Sequence, residues 1–342
     1  MDMKRRDFLK MTAALAAAGV SPSLLTAGKE QFTVYGAPAM PSVTIAVTAL
    51  QGKLAKQADV SLKIWRSPDQ LRAGVASGQF KVMMSPSNVG VNLRNQGQKV
   101  GMVNILTNGI TQLVCKGSAI ASPQDLVGKK ILVPFKNDMP DIVLQALLKK
   151  LKIDAHKVSI TYAATPPEAV GLFPSKGYHA VILPEAVGLF PSKGYHAVIL
   201  PEPMATASLL KGKTIGINVV HGFDLVKAWG QAFDTKPLIP MAGIIANEEY
   251  FHAHKAQFDI FHQDLKNALN WILANRQNAA KIGKNYLPAP EPALVMGLDG
   301  ARLTVSKGSE VKNEILKFYE ILMQFNPELL GGKLPDNGFF LA

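Results

Sequence analysis

From Gln31 onward the chain alternates short β-type runs with amphipathic helical runs, and no other feature of the sequence constrains its fold as tightly. The first run, FTVYG at 32–36, sets β-branched and aromatic residues before a closing glycine. Further strands are expected at 60–65, 81–84, 100–106, 130–134, 158–162 and 241–246, with a weaker β-like run at 214–220. Helices fall between them. Ser67-Pro68-Asp69-Gln70 and Ser122-Pro123-Gln124-Asp125 both read as helix starts, each with a Ser cap and Pro at the first helical position. Residues 88–95 form a helix closed by Gly97, and 138–151 place Val143, Leu144, Leu147, Leu148 and Leu151 on one face. The segment 41–57 is expected to be helical against the preference of its β-branched Val43-Thr44-Ile45 and Val47-Thr48. Strands recurring with helices between them predict an α/β fold of mostly parallel sheets flanked by helices.

Past Pro237 the texture changes. Long helical stretches are expected at 250–276 and 310–323, the latter with Ile315, Phe318, Tyr319 and Leu322 at helical spacing. No long linker interrupts the chain, so two lobes with a helical C-terminal covering are expected. The first lobe is assigned to 29–114 and 237–342, and the second to 115–236.

Residues 1–28 stand apart. A basic start (Lys4, Arg5, Arg6) precedes an Ala-rich apolar stretch at 11–20 that is too short to span a bilayer. Arg5-Arg6-Asp7-Phe8-Leu9-Lys10 resembles a twin-arginine export signal, with Lys4 where that signal usually carries Ser or Thr. The resemblance implies passage through the twin-arginine export machinery, cleavage near Ala27 and a periplasmic location. No Cys closely follows the apolar stretch, so no lipid anchor is expected. No later apolar run reaches the length of about twenty residues that a membrane span needs. Cys115 is the only cysteine and cannot form an internal disulfide, so stability must come from a hydrophobic core.

The stretch EAVGLFPSKGYHAVILP occupies 168–184 and runs again, letter for letter, at 185–201. One copy reads as a helix start at Pro167-Glu168, a turn at Lys176-Gly177 and a buried strand at 180–183. Repeat architectures stack three or more diverged units, so two identical copies mark a recent in-frame duplication or a sequence artefact instead. Only the second copy continues into Glu202-Pro203 and the next helix, so its strand, 197–200, is expected to hold the sheet position. The surplus residues become a surface excursion, which costs about 0.6 kcal/mol of chain entropy per doubling of loop length. Its apolar Leu172, Phe173, Val181 and Ile182 are a local aggregation liability.

A helix, then Gly-aromatic-x-Ala, then an apolar strand ending in Pro201-Glu202-Pro203 resembles a segment of bacterial solute-binding proteins. The relatives are those of nitrate, sulfonate, taurine and thiamine-precursor transport. Residues 122–131, SPQDLVGKKI, resemble the motif that opens their second lobe, and 71–78 before 81–85 resembles a helix-Gly-strand unit of their first. The likeness runs in order over nearly all the chain beyond the export signal. It implies a two-lobed periplasmic-binding-protein type II fold that closes on a small solute and delivers it to an ABC-type permease. It also implies a monomer with neither catalysis nor cofactor.

In such a fold, ligands gather beyond the carboxyl ends of parallel strands, where helix N-termini point N–H groups outward. The segments at those ends nominate Met40, Ser85, Ser87, Asn88, Asn108, Phe135, Asn137, Asp138 and Glu202 as ligand-binding residues. Ser85, Ser87 and Asn88 can donate to an anion or a polar heterocycle, or can cap the following helix. Lys136 and Asp138 can pair with a ligand or be solvated loop charges, and Glu202 can bind an amine or cap a helix. The expected solute is therefore polar or anionic: a sulfonate, nitrate or a pyrimidine-like molecule. The net charge is +12, of which +2 lies in residues 1–28. The lysines are scattered, with no basic stripe interleaved with aromatics, so no nucleic-acid partner is expected. His252, His254 and His262 do not share one helical face, and no metal site is expected. Cys115 has no visible partner for nucleophilic chemistry and reads as a small buried residue.

The rival reading is an enzyme on the same two-lobed fold, of the pyrimidine-precursor synthase or quinone-pathway type. The synthases carry a cysteine cluster that a lone Cys115 cannot supply, and the quinone-pathway enzymes are cytoplasmic, against the export signal. A scavenging or adhesion protein using the basic surface has no sequence signature of its own.

Overall fold

Two mixed sheets flanked by helices organise the chain in a computed structural model, which describes residues 29–173 and 194–341. The first lobe begins with β1 (Gln31–Gly36), α1 (Pro41–Gln51), β2 (Asp59–Ile64), α2 (Pro68–Ala76), β3 (Val82–Pro86), α3 (Ser87–Asn95) and β4 (Val100–Thr107). The second lobe holds β5 (Thr111–Lys116), β6 (Lys130–Pro134), α4 (Met139–Lys150), β7 (Ser159–Ala163) and α5 (Pro166–Leu172). It continues with β8 (Ala197–Pro201), α6 (Met204–Thr214), β9 (Val219–His221) and α7 (Leu225–Phe233). The chain then returns through β10 (Ala242–Asn247), α8 (Glu248–Ala253), α9 (Lys255–Ala274) and α10 (Arg276–Gly283). It ends with α11 (Glu291–Met296), β11 (Leu303–Lys307) and α12 (Lys312–Phe325).

The first sheet has the order β11-β4-β10-β3-β1-β2 and the second β7-β6-β8-β5-β9. β1 runs parallel to β2 and β3, and β6 to β7 and β8, as the alternation predicts. β10 is antiparallel to both its neighbours, β5 to β8 and β9, and β11 to β4. β5 and β10 differ because each enters its sheet straight from the other lobe. They therefore run away from the junction towards which their parallel neighbours run. The chain leaves the first sheet at Thr107 and enters the second at Thr111, upstream of the break expected at 115.

Local sequence explains most elements. Ser67 Oγ accepts from Gln70 N–H while Gln70 Oε1 accepts from Arg66 N–H, fixing the start of α2. Ser122 and Asp125 form a capping box, but the turn they start spans only Pro123–Leu126 and gives way at Gly128, whose φ is +75°. α1 forms despite its β-branched residues because everything from Pro41 to Thr48 is buried, so tertiary packing overrides propensity. It ends at Gln51, short of the expected 57. The run 214–220 is not one strand: Thr214 closes α6 and only Val219–His221 pairs. The helical stretch 250–276 breaks at His254 and Asn275.

The duplicated segment is used from its outer ends. α5 comes from the first copy, because Thr165 Oγ1 caps Glu168 N–H and Glu168 Oε2 accepts from Ala164 N–H. The second copy has Ile182 in the place of Thr165 and lacks that cap. β8 comes from the second copy and pairs with β5 and β6, as expected. The strand expected at 180–183 and the surface excursion lie outside the described residues.

The lobes are joined by two antiparallel crossings. Ile239 N–H donates to Asn108 O at 3.1 Å and Met241 N–H to Thr107 O at 3.2 Å. Gly109 between them has φ +125°, and a Cβ there would lie 2.3 Å from Val226 Cγ2, so the crossing admits only glycine. Beside it, Arg302 Nη2 of the first lobe pairs with Asp224 of the second at 2.6 Å. α12 straddles the lobes: Phe318 packs on Trp229 of α7 at 5.5 Å between centroids, while Tyr319 Oη donates to Ser87 O at 2.9 Å.

Deleting residues 174–190 joins Phe173 to Pro191 and leaves a single copy with α5 and β8 intact. Denaturant unfolding is expected to show the shortened chain unchanged or stabilised by about 0.6 kcal/mol, the entropy of one loop doubling. A loss of more than about 2 kcal/mol, the scale of a broken core contact, would contradict the assignment of both halves.

Candidate ligand-binding cleft

The carboxyl ends of the parallel strands meet where the lobes face each other, and the space between is a cleft of about 640 Å³ counted to its open mouth. The first lobe lines it with Ala37, Pro38 and Ala39 after β1, Pro41, Trp65 after β2, and Met84, Ser85 and Pro86 ending β3. The second contributes Phe135, Asp138, Met139 and Pro140 after β6, Pro166 of α5 and Pro201 ending β8. The crossings add Ile110, Thr111, Met241 and Ala242.

Trp65 is held against the first-lobe wall by donating Nε1–H to Met84 O at 3.0 Å. Ser85 Oγ donates to Pro86 O at 3.0 Å, and Thr111 Oγ1 lies 3.2 Å from Met241 Sδ. Asp138 caps α4, its Oδ1 accepting from Met139 N–H at 2.8 Å. The residue is half-buried but its carboxyl is enclosed, and burial pushes that carboxyl above the ordinary aspartate range. Among the described residues, Asp138 is the only charged one in the lining.

Of the nine residues nominated from sequence, Ser85, Phe135 and Asp138 line the cleft. Four lie buried behind it. Ser87 Oγ donates to Pro240 O at 2.6 Å, and Asn88 Oδ1 has no partner among the described residues. Met40 N–H donates to Glu202 O at 3.1 Å, which bonds the lobes to each other at the cleft. The Glu202 carboxyl accepts from Thr206 N–H at 3.1 Å and packs against Gly297 and Gly300. The other two nominees are placed differently. Asn108 belongs to the crossing, and exposed Asn137 sits at φ +61° with its N–H on Asp141 Oδ2. Lys136, beside it, lies over the Tyr162 ring at 5.5 Å.

Sequence reasoning passed over Trp65, although a tryptophan closing a predicted strand was a readable signal. It also passed over Thr111, whose strand it had not placed, and Met241, which it had put at the start of the strand 241–246. Among the described residues no group of three or more His, Cys, Asp or Glu is arranged to hold a metal ion. His254 instead contacts Glu30 at 2.6 Å, and His262 Nδ1 contacts Asn104 at 2.5 Å.

Residues 2–22 match the model of the twin-arginine translocation pathway signal sequence, and residues 40–166 match that of the NMT1/THI5-like family. No curated protein sequence matches the chain. Among solved structures it superposes on an ABC transporter protein from Parabacteroides distasonis with a TM-score of 0.70 at 16% identity, over 91% of this chain and 99% of that one. The periplasmic aliphatic sulphonate binding protein SsuA of Escherichia coli gives 0.67 at 16% identity, over 92% of both chains. The alkanesulfonate-binding protein SsuA of Xanthomonas axonopodis pv. citri, bound to MOPS, gives 0.62 at 15% identity, over 90% of this chain and 96% of that one. These likenesses establish the two-lobed periplasmic-binding-protein fold. No described helix is long and apolar enough to cross a membrane.

The Glu202 carboxyl yields a pH prediction. Burial pushes it up from 4.5 to about 7, against the lowering effect of the Thr206 bonds. Between those values the folded protein holds a proton that the unfolded chain has released. This contribution to stability is therefore full below pH 4.5 and lost as pH rises through about 7. Glu202→Gln keeps an acceptor for Thr206 and removes the titration. It is expected to flatten the profile and, at pH 8, to exceed the native chain by about 1–3 kcal/mol in denaturant unfolding. Superimposable profiles from pH 5 to 8 would refute it.

Proposed function

We propose that the chain is the periplasmic solute-binding component of an ABC importer, exported through the twin-arginine machinery, which captures a small solute between its lobes. The observation that carries this is the cleft itself. It lies at the carboxyl ends of both sheets, between lobes that two hydrogen-bonded crossings connect, on a fold shared over nearly its whole length with ABC binding proteins. Lobes connected in this way close as rigid bodies on whatever occupies the gap. The closed form then presents a surface, contributed by both lobes, for the permease to recognise. A monomer suffices, since the cleft is complete within one chain.

Ser85, Phe135 and Asp138, with Trp65 and Thr111, are the side chains that would contact the solute. Met40, Ser87, Asn88 and Glu202 support them from behind. A binding role suits this lining better than catalysis. Asp138 is the one carboxylate among the described lining residues, and the Ser85 and Thr111 hydroxyls beside it bond Pro86 O and Met241 Sδ rather than a base, whereas acid–base and nucleophilic chemistry each need a positioned partner. Cys115 is buried away from the cleft and its thiol is pushed up by burial, which is the reverse of an activated nucleophile.

Thermal unfolding with single solutes added tests the proposal. A solute present at about a hundred times its dissociation constant is expected to add about 2.7 kcal/mol of stability. Trp65→Ala is expected to abolish the shift while leaving the unliganded melt cooperative. The solute should be recovered unchanged after denaturation, and recovery of a different compound would place the chain among enzymes.

A further inference from the structure

Resting on the binding role above, the chemistry of the cleft narrows what it can hold. The chain carries 37 Lys and Arg, yet none of those among the described residues lines the cleft. At the helix ends that reach it, the leading N–H groups are missing or already taken. α1 and α5 begin with Pro41 and Pro166, which have no N–H. Just ahead of α1, Met40 N–H is taken by Glu202 O at 3.1 Å. Ser87 N–H, first in α3, is taken by Met241 O at 3.0 Å. Met139 N–H, first in α4, is taken by Asp138 Oδ1 at 2.8 Å, and the next residue is Pro140.

The helix dipoles still favour negative charge, by about 0.3–1 kcal/mol each. Stripping an oxyanion of water with few donors to replace it costs several kcal/mol, and the Ser85 and Thr111 hydroxyls in the lining are already engaged by Pro86 O and Met241 Sδ. The penalty is the larger, and the carboxylate of Asp138 adds repulsion. A sulfonate or nitrate is therefore disfavoured, against the anionic solute that the sequence suggested.

What the cleft offers is the converse. Trp65, Met84, Phe135 and Met139 present an apolar and aromatic wall, and the one charge on it is negative. Asp138 Oδ2 has no hydrogen-bond partner among the described residues. Arg72 on α2 is near enough to lower the Asp138 carboxyl, but it pairs with Asp69 at 3.4 Å and does not line the cleft. We propose that the cleft takes a small organic cation, with an apolar, aromatic-sized body against Trp65 and Phe135 and an ammonium group paired with Asp138. Aromatic faces attract such a cation as well as its apolar body.

Three probes with one ring and different charge test this by calorimetric titration of the purified protein: benzylamine, benzyl alcohol and benzenesulfonate. Benzylamine is expected to bind about tenfold or more tightly than benzyl alcohol, and benzenesulfonate not to bind. Asp138→Asn keeps a good helix cap. It is expected to weaken benzylamine about tenfold and to leave benzyl alcohol within roughly twofold. Tightest binding by benzenesulfonate overturns the cation class while leaving a binding protein. Equal binding of benzylamine and benzyl alcohol, with Asp138→Asn silent, overturns the ammonium pairing. If none of the three binds, the proposal falls, and native mass spectrometry of the purified protein separates the cases. A bound solute of other chemistry keeps the binding role, and an empty protein that no solute stabilises loses both.

Discussion

The architecture depends on the pair of crossings at Asn108 and Ile239. Two strands leave their sheets there side by side, bonded from Ile239 N–H to Asn108 O and from Met241 N–H to Thr107 O. Everything else about the lobes follows from that junction. β5 and β10 start at it and so run opposite to their neighbours, while β3, β6 and β8 end facing it. A cleft is the necessary result, because the strand ends that converge there cannot continue their sheets. Gly109 permits the turn, and the Arg302–Asp224 pair holds the lobes in register beside it.

Few polar contacts close the cleft. Met40 N–H to Glu202 O and Gln112 Nε2–H to Gly300 O, at 3.1 and 2.8 Å, are the kind of bond that contributes about 1 kcal/mol each. Open and closed forms separated by such a margin are within reach of a ligand's differential affinity. Glu202 sits at the centre of this arrangement. Its carbonyl reaches the first lobe while its carboxyl, against Gly297 and Gly300, couples the same turn to the returning chain. A residue that sequence reasoning placed among the ligand contacts thus acts on the lobes themselves.

Much of the fold was legible because its signals are local. Ser67, Ser122, Asp138 and Thr165 each sit at a helix or turn start and mark it, and the uncapped second copy of the repeat explains which half is used. β5 was missed because TQLVCK carries Gln112 and Lys116 within it and follows β4 after only a short crossing. β11, LTVSK, is a half-exposed edge strand without strong alternation. The site was less legible than the fold. The rule of strand ends reached Ser85, Phe135 and Asp138, but the search for polar donors favoured Ser87 and Asn88, which turn inward at the start of α3. The prolines at 41, 140 and 166 were visible throughout. Their meaning, that they remove donors from the helix ends at the cleft, needed the helices brought together around one space.

The most direct test of the clamp is an interlobe distance. Asp69→Cys and Lys136→Cys place spin labels at exposed positions on the two lobes, while buried Cys115 is shielded from labelling. Pulsed dipolar spectroscopy with a solute that raises the melting temperature should give a shorter and narrower distance distribution than without it. A distribution unchanged by a bound solute would contradict closure of the lobes as the means of capture.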